Sequence, residues 1–116
     1  MHELSIAQGI VEIAEEHLPP GSGRVRSVRV KIGGLAGVVV DSLSFCFDAI
    51  IPGTRLEGAR LDIEHIPITV RCAGCSAVTS ITDSEFHCGS CGGTEVSLVT
   101  GRELQVSELE LADNEE

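Results

Sequence analysis

Four cysteines restrict what this chain can fold into more than any other feature. Cys72-Ala-Gly-Cys75 and Cys88-Gly-Ser-Cys91 are two C-x-x-C pairs separated by twelve residues, with Gly74, Gly89, Gly92 and Gly93 at or beside them. Two residues between cysteines let both sulfurs turn toward one ion, and two such pairs supply a tetrahedral four-thiolate shell, for which zinc is the fitting occupant. Glycine relieves the tight backbone of each knuckle. A four-sulfur shell leaves no position for water, so Cys72, Cys75, Cys88 and Cys91 are expected to form a structural zinc site and not a hydrolytic one. The segment between the pairs, SAVTSITDSEFH, has β-branched residues in alternation and little to bury. It predicts a thin ribbon whose folding energy comes from the metal. His87, next to Cys88, is expected to lie exposed on that ribbon.

The rest of the chain has to supply a core from limited means. Of 116 residues, 42% are hydrophobic, yet there is no Trp, no Tyr and only three Phe. The predicted core is therefore aliphatic and small, and a metal staple would help it. The longest apolar run, LAGVVV, falls far short of the roughly 20 residues that span a bilayer. No basic region followed by an apolar stretch opens the sequence, so a soluble cytoplasmic protein is expected, with free thiols rather than two disulfides. Eight basic against eighteen acidic residues give a formal charge of −10, with acids crowded into ELELADNEE. That balance repels phosphate backbones and argues against nucleic acid as a partner. The one basic cluster, RVRSVRVK, alternates Arg29 and Lys31 with Val28, Val30 and Ile32, the pattern of a strand with one solvated face.

Ser5-Ile-Ala-Gln8 has capping-box spacing and predicts a helix start at Ser5. Leu4, Ala7, Ile10, Val11, Ala14 and Leu18 then recur at three and four, until Pro19-Pro20-Gly21 stops the stripe. His17 falls in the last turn, where an imidazole suits the dipole. A strand is expected over 24–32, followed by a turn at Gly33-Gly34-Leu35-Ala36-Gly37. That turn lacks the Lys-Ser/Thr pair of a phosphate loop. A second helix is expected from about Asp41, with Leu43, Cys46, Phe47 and Ile50 on its buried face and Pro52-Gly53 as its stop. Strands follow over 59–66, ending near an exposed His65, and over 102–111, where a change of parity predicts a bulge at Ser107 and Glu108. The expected fold class is α/β: a small three-stranded sheet with two helices, plus an inserted zinc-ribbon domain. The expected domains are 1–68 with 97–116, and 69–96 for the ribbon.

MHELSIAQGIVEIAEEHL, the KIGGLAGV turn, SFCFDAIIPGT, both knuckles and the closing TGREL together resemble the HypA/HybF family of hydrogenase nickel-incorporation proteins, in order and in spacing. Where that family usually has an acidic residue and a serine in the glycine turn, this chain has Gly34 and Ala36. Gly89 stands where proline is common. The resemblance implies a nickel metallochaperone, not an enzyme. It would carry Ni²⁺ to a [NiFe]-hydrogenase large-subunit precursor, together with a hydrogenase maturation GTPase, and some members serve urease. It implies nickel ligands at Met1, His2 and Glu3 and structural zinc on Cys72, Cys75, Cys88 and Cys91.

The opening residues are chemically suited to that role. An amine at residue 1 with the amide nitrogen and imidazole of residue 2 closes two fused chelate rings on one ion. Ni²⁺ or Cu²⁺ accepts the square-planar nitrogen set that a fourth donor, the Glu3 amide, a water or a partner group, would complete. The bulk of His2 hinders removal of Met1. A plain zinc-ribbon adaptor, in which these residues are incidental, is the competing reading, and it would bind zinc without nickel. An enzyme built on Cys46 or a histidine finds no partner motif beside either residue.

Overall fold

The computed structural model describes residues 2–19, 21, 23–82 and 85–112. The element order is α1 (Glu3–Glu16), β1 (Val25–Gly33), α2 (Val40–Ile50), β2 (Arg60–Ile66), β3 (Ile68–Cys72), β4 (Val78–Ile81), β5 (Val96–Thr100) and β6 (Leu104–Leu111). They form two three-stranded sheets, ordered β2-β1-β6 and β4-β3-β5. Two helices with a three-stranded sheet, and a ribbon inserted before its last strand, is the fold expected from the sequence. The chain divides into two compact units. One draws on the residues up to Lys31, Gly37–Glu64 and those from Gln105 onward; the other on Ile32–Ala36 and His65–Leu104.

In the first unit the stripe of α1 buries Ala7, Ile10, Val11, Ala14 and Leu18, while α2 buries Leu43 and Phe47. The two helices pack together. Phe47 is fully enclosed and supplies the only aromatic ring among the buried residues described. Val28 and Val30 of β1 are buried, whereas Arg29 is exposed and Lys31 half-exposed. The basic cluster faces acids: Arg26 lies 3.8 Å from Glu110, and Arg29 3.7 Å from Glu108. Such exposed pairs contribute at most about 1 kcal/mol each, but they neutralise the cations that might have met phosphate. Along β6 the half-buried positions are Leu104, Val106 and then Leu109, with Ser107 and Glu108 exposed in succession. The parity changes where expected, but Leu111 remains exposed instead of following Leu109 inward.

Three local readings are corrected. Helix α1 begins at Glu3, with His2 as N-cap and no side-chain cap, so Ser5 lies inside the first turn. The His2 carbonyl already accepts the Ile6 amide at 3.2 Å, and the Glu3 side chain holds this end from outside the helix. Leu4, read as part of the stripe, is exposed, and Cys46 is half-buried rather than enclosed. His17 is the C-cap, and its Nδ1 lies 2.9 Å from the Ile13 carbonyl, which also accepts the His17 amide at 3.2 Å.

In the second unit β3 is central. It pairs antiparallel with β4 through Ile68↔Ile81 to Arg71↔Val78, and with β5 through Thr69↔Thr100 and Cys72↔Val96, with a register shift at Thr69/Val70. The glycine turn closes on this unit. Gly33 donates to the Glu103 carbonyl at 2.8 Å, Gly34 to Ile66 at 3.1 Å and Leu35 to Gly101 at 2.6 Å. A Cβ at Gly33 would overlap the Gly101 carbonyl, so this close backbone crossing requires glycine.

Candidate metal centre

The second unit has little else to hold it. Its buried hydrophobic residues among those described are Ile32, Val70, Ile81 and the thiols Cys72 and Cys88. The end of β3 places Cys72, and the turn after it places Cys75. The second knuckle repeats this backbone. In the first, Ser76 N donates to Cys72 O at 2.9 Å and Cys72 N to Ala77 O at 2.9 Å; in the second, Gly92 N donates to Cys88 O at 3.0 Å and Cys88 N to Gly93 O at 2.8 Å. The residue after each second cysteine turns left-handed, Ser76 at φ 65° and Gly92 at φ 75°. The knuckle glycines read from the sequence as conformational relief therefore fill that role only at Gly92. Ser76 was missed, although superposing C-A-G-C-S on C-G-S-C-G aligns it with Gly92.

The four sulfurs lie within 4.8 Å of one another. Cys72 Sγ is 3.6 Å from Cys91 Sγ, and Cys75 Sγ is 3.5 Å from Cys88 Sγ. A thiolate tetrahedron with metal–sulfur bonds of about 2.3 Å has edges of about 3.8 Å, so the spacing suits a zinc-sized ion and all five cysteines are free of disulfides. Backbone amides support the inner pair. Gly74 donates to Cys72 Sγ at 3.3 Å, and Ser90 and Cys91 donate to Cys88 Sγ at 3.3 and 3.4 Å. The Cys91 amide, then that of Ser90, draws the Cys88 thiol down to about 6, and the amides of Cys75 and Gly74 lower Cys72. At Cys75 the Ala77 amide pulls downward but is outweighed by the Cys88 sulfur, burial and the other two sulfurs, which push the thiol up to about 11. Cys91 is likewise raised: the Gly93 amide pulls down, and Cys72 and Cys88 outweigh it. The amides thus favour the charged form on the two buried sulfurs more than on the two exposed ones, and an entering cation displaces the remaining thiol protons.

His87 is outside this cluster, half-buried, with Nδ1 3.3 Å from the Glu85 carbonyl. His65 is exposed on β2, and Cys46 lies on α2 in the other unit. At the other expected site, Met1 lies outside the described residues. His2 is exposed at the N-cap of α1, and its side chain makes no capping bond. Glu3 carries a function that sequence reasoning missed: its Oε2 accepts the Val39 amide at 3.0 Å, joining the first turn of α1 to the N-cap of α2. The Val39 amide, and after it Glu3's own amide, hold this carboxyl below its ordinary value. Thirty-six positions separate the partners, so no local pattern announces the bond.

Four sulfurs on a thin ribbon, inserted before the last strand of a three-stranded sheet that accompanies two helices, define a small metal-binding α/β protein. The family model described as hydrogenase/urease nickel incorporation, metallochaperone, HypA matches residues 1–111. The chain belongs to this family of metallochaperones. It is 47% identical over 116 residues to a hydrogenase maturation factor HypA of Roseiflexus sp. (strain RS-1), covering 98% of this chain and 94% of that one. It is 46% identical over 109 residues to the same factor of Geotalea daltonii, covering 94% and 97%. The solution structure of the nickel metallochaperone HypA from Helicobacter pylori shares the fold at 23% identity, with a TM-score of 0.65 over 96% of this chain and 97% of that one. No helix among the described residues is long and apolar enough to cross a membrane.

Proposed function

We propose that this chain binds Ni²⁺ at Met1, His2 and Glu3 and delivers it to a [NiFe]-hydrogenase large-subunit precursor in the cytoplasm, together with a hydrogenase maturation GTPase. Cys72, Cys75, Cys88 and Cys91 hold a structural Zn²⁺. In this reading the ribbon, 69–96, keeps its zinc, and residues 1–68 with 97–116 carry the cargo. The observation that carries the nickel site is the placement of His2 at the N-cap of α1, exposed and without a capping bond. Helix-start amides have no intrahelical backbone acceptor, so the His2 nitrogen is available to a metal, whereas the Glu3 amide faces its own carboxylate and must leave it to become a ligand. A bare cation opposes the positive end of a helix dipole. An amide that loses its proton to nickel places negative charge there, which the dipole favours. The amine of Met1, with the His2 amide and imidazole, then completes three positions of a square-planar set. A fourth position held only by the Glu3 amide or a water suits transfer, because the recipient can displace that donor before the carrier lets go of the other three.

A nickel titration of untagged, zinc-loaded protein tests this. His2→Ala should abolish nickel binding and leave zinc in place. One residue added before Met1 should do nearly as much damage, since it converts the amine to an amide with every side chain intact. Affinity should fall as pH falls, because protons compete with nickel for the nitrogen donors. An extended protein that binds nickel as tightly as the native chain would end the proposal. Zinc without nickel in the native chain would favour the plain adaptor.

A further inference from the structure

The two cysteine knuckles are tied across the ribbon by bonds that involve no sulfur. Within each knuckle the later amides serve the first cysteine: Gly74 in one, Ser90 and Cys91 in the other. The amide directly after that cysteine reaches elsewhere. Ala73 N donates to Glu95 O at 2.9 Å, and Gly89 N donates to Thr79 Oγ1 at 2.9 Å. The acceptors occupy matching places, because Thr79 stands four residues after Cys75 and Glu95 four residues after Cys91. Each knuckle is therefore clamped to the segment that leaves the other. The clamps differ in kind: Glu95 offers its carbonyl, which any residue supplies, whereas Thr79 offers a hydroxyl. Thr79 is itself well placed, since its partner across the β3–β4 pair is the buried Val70. Gly89 lets the hydroxyl close. A Cβ there would stand 3.1 Å from Thr79 Cγ2 and 3.3 Å from its Oγ1, and Gly89 is not among the left-handed glycines, so its missing side chain serves this contact and not the turn.

We propose that Thr79 is a positioning residue for the zinc centre, holding the Cys88–Cys91 knuckle against β4 and so setting how slowly the ion is lost. This rests on the zinc reading above and deepens it. Cys72 ends β3, but Cys88 and Cys91 lie on no strand, so the second knuckle depends more on such a tie. An ion held by two pairs of sulfurs escapes when one pair swings away. Fixing both pairs at their mutual spacing before the ion enters lowers the cost of ordering them and slows that opening. The first clamp survives any change of side chain at Glu95. The second hangs on one oxygen, which makes Thr79 the place where side-chain identity controls retention.

The test follows zinc release from the zinc-loaded full chain into excess chelator. Thr79→Val keeps the shape of the side chain and removes the acceptor, and release should be about three- to tenfold faster, the range that one net hydrogen bond supplies. Thr79→Ser keeps the oxygen and should release zinc at close to the native rate. Strand preference favours Val and Thr over Ser, so a merely structural role for the position would give the opposite order, with Val tight and Ser loose. Gly89→Ala should also speed release, and adding Thr79→Ser to it, which removes Cγ2, should restore part of the loss. Native-like release by Thr79→Val, or the opposite order of Val and Ser, overturns the clamp and leaves the zinc reading intact. A native chain that holds no zinc overturns both.

Discussion

Glu3 shows what a single residue can hide. As a position in MHELS it reads as a metal ligand through its amide, whereas its side chain ties α1 to the Val39 amide at the head of α2. Because the Val39 amide lowers the carboxyl, the bond is fully present above the ordinary glutamate value of 4.5 and is lost as pH falls through the depressed folded value. The Val39 amide resonance should therefore titrate with a midpoint below 4.5 in the native chain, and Glu3→Gln, which keeps an acceptor oxygen, should abolish that titration. A midpoint at or above the ordinary value would mean the contact is absent in solution. The misplaced start at Ser5 has a related cause. Capping-box spacing is a local signal, and a carboxylate bonded to a distant amide can fix the helix end two residues earlier.

At the scale of elements, the spacing of the cysteines was legible because two residues between ligands constrain sulfur positions directly. The backbone that makes the spacing work was read less well. Glycine was taken as the source of relief at four places, yet the left-handed position in each knuckle is the residue after the second cysteine, which is glycine once and serine once. An L side chain there costs about 1–2 kcal/mol. Gly92→Ala should therefore destabilise the zinc-loaded ribbon by about that much, while Ser76→Gly should gain less, since glycine's greater freedom in the unfolded chain offsets roughly 0.5–1 kcal/mol. Chelator competition measures both as shifts in the midpoint of zinc loss. A Gly92→Ala protein that holds zinc as tightly as the native one would show that the knuckle tolerates a different turn. For β6, alternation disclosed the change of parity at Ser107 and Glu108, but an apolar residue at the end of a strand is not obliged to find cover, as Leu111 shows.

For the whole molecule, periodicity was enough to read the helix stripes and the three strands of the main sheet, because each sets apolar residues on a buried or half-buried face. The ribbon is different. Its described buried hydrophobic residues are few, and two of them are cysteines, so burial cannot offset the ordering of some forty residues between His65 and Leu104. An ion that binds the folded site and not the unfolded chain adds stability as RT ln(1 + [Zn]/Kd), about 4 kcal/mol when free metal is a thousandfold above Kd. The first unit has Ala7, Ile10, Val11, Val28, Val30, Leu43, Leu56 and Phe47 buried and needs no such ligand. Stripping zinc from the full chain should consequently abolish hydrogen-exchange protection at the β3, β4 and β5 amides while the helix signal of α1 and α2 in the far ultraviolet persists. Cys88→Ala, which removes a buried sulfur supported by two amides, should reproduce that state even in excess zinc. The same apo protein should still titrate with nickel through residues 1–3, because that site draws no ligand from the ribbon. If the helix signal collapses together with the ribbon, the two units do not fold independently and the metal stabilises the whole chain.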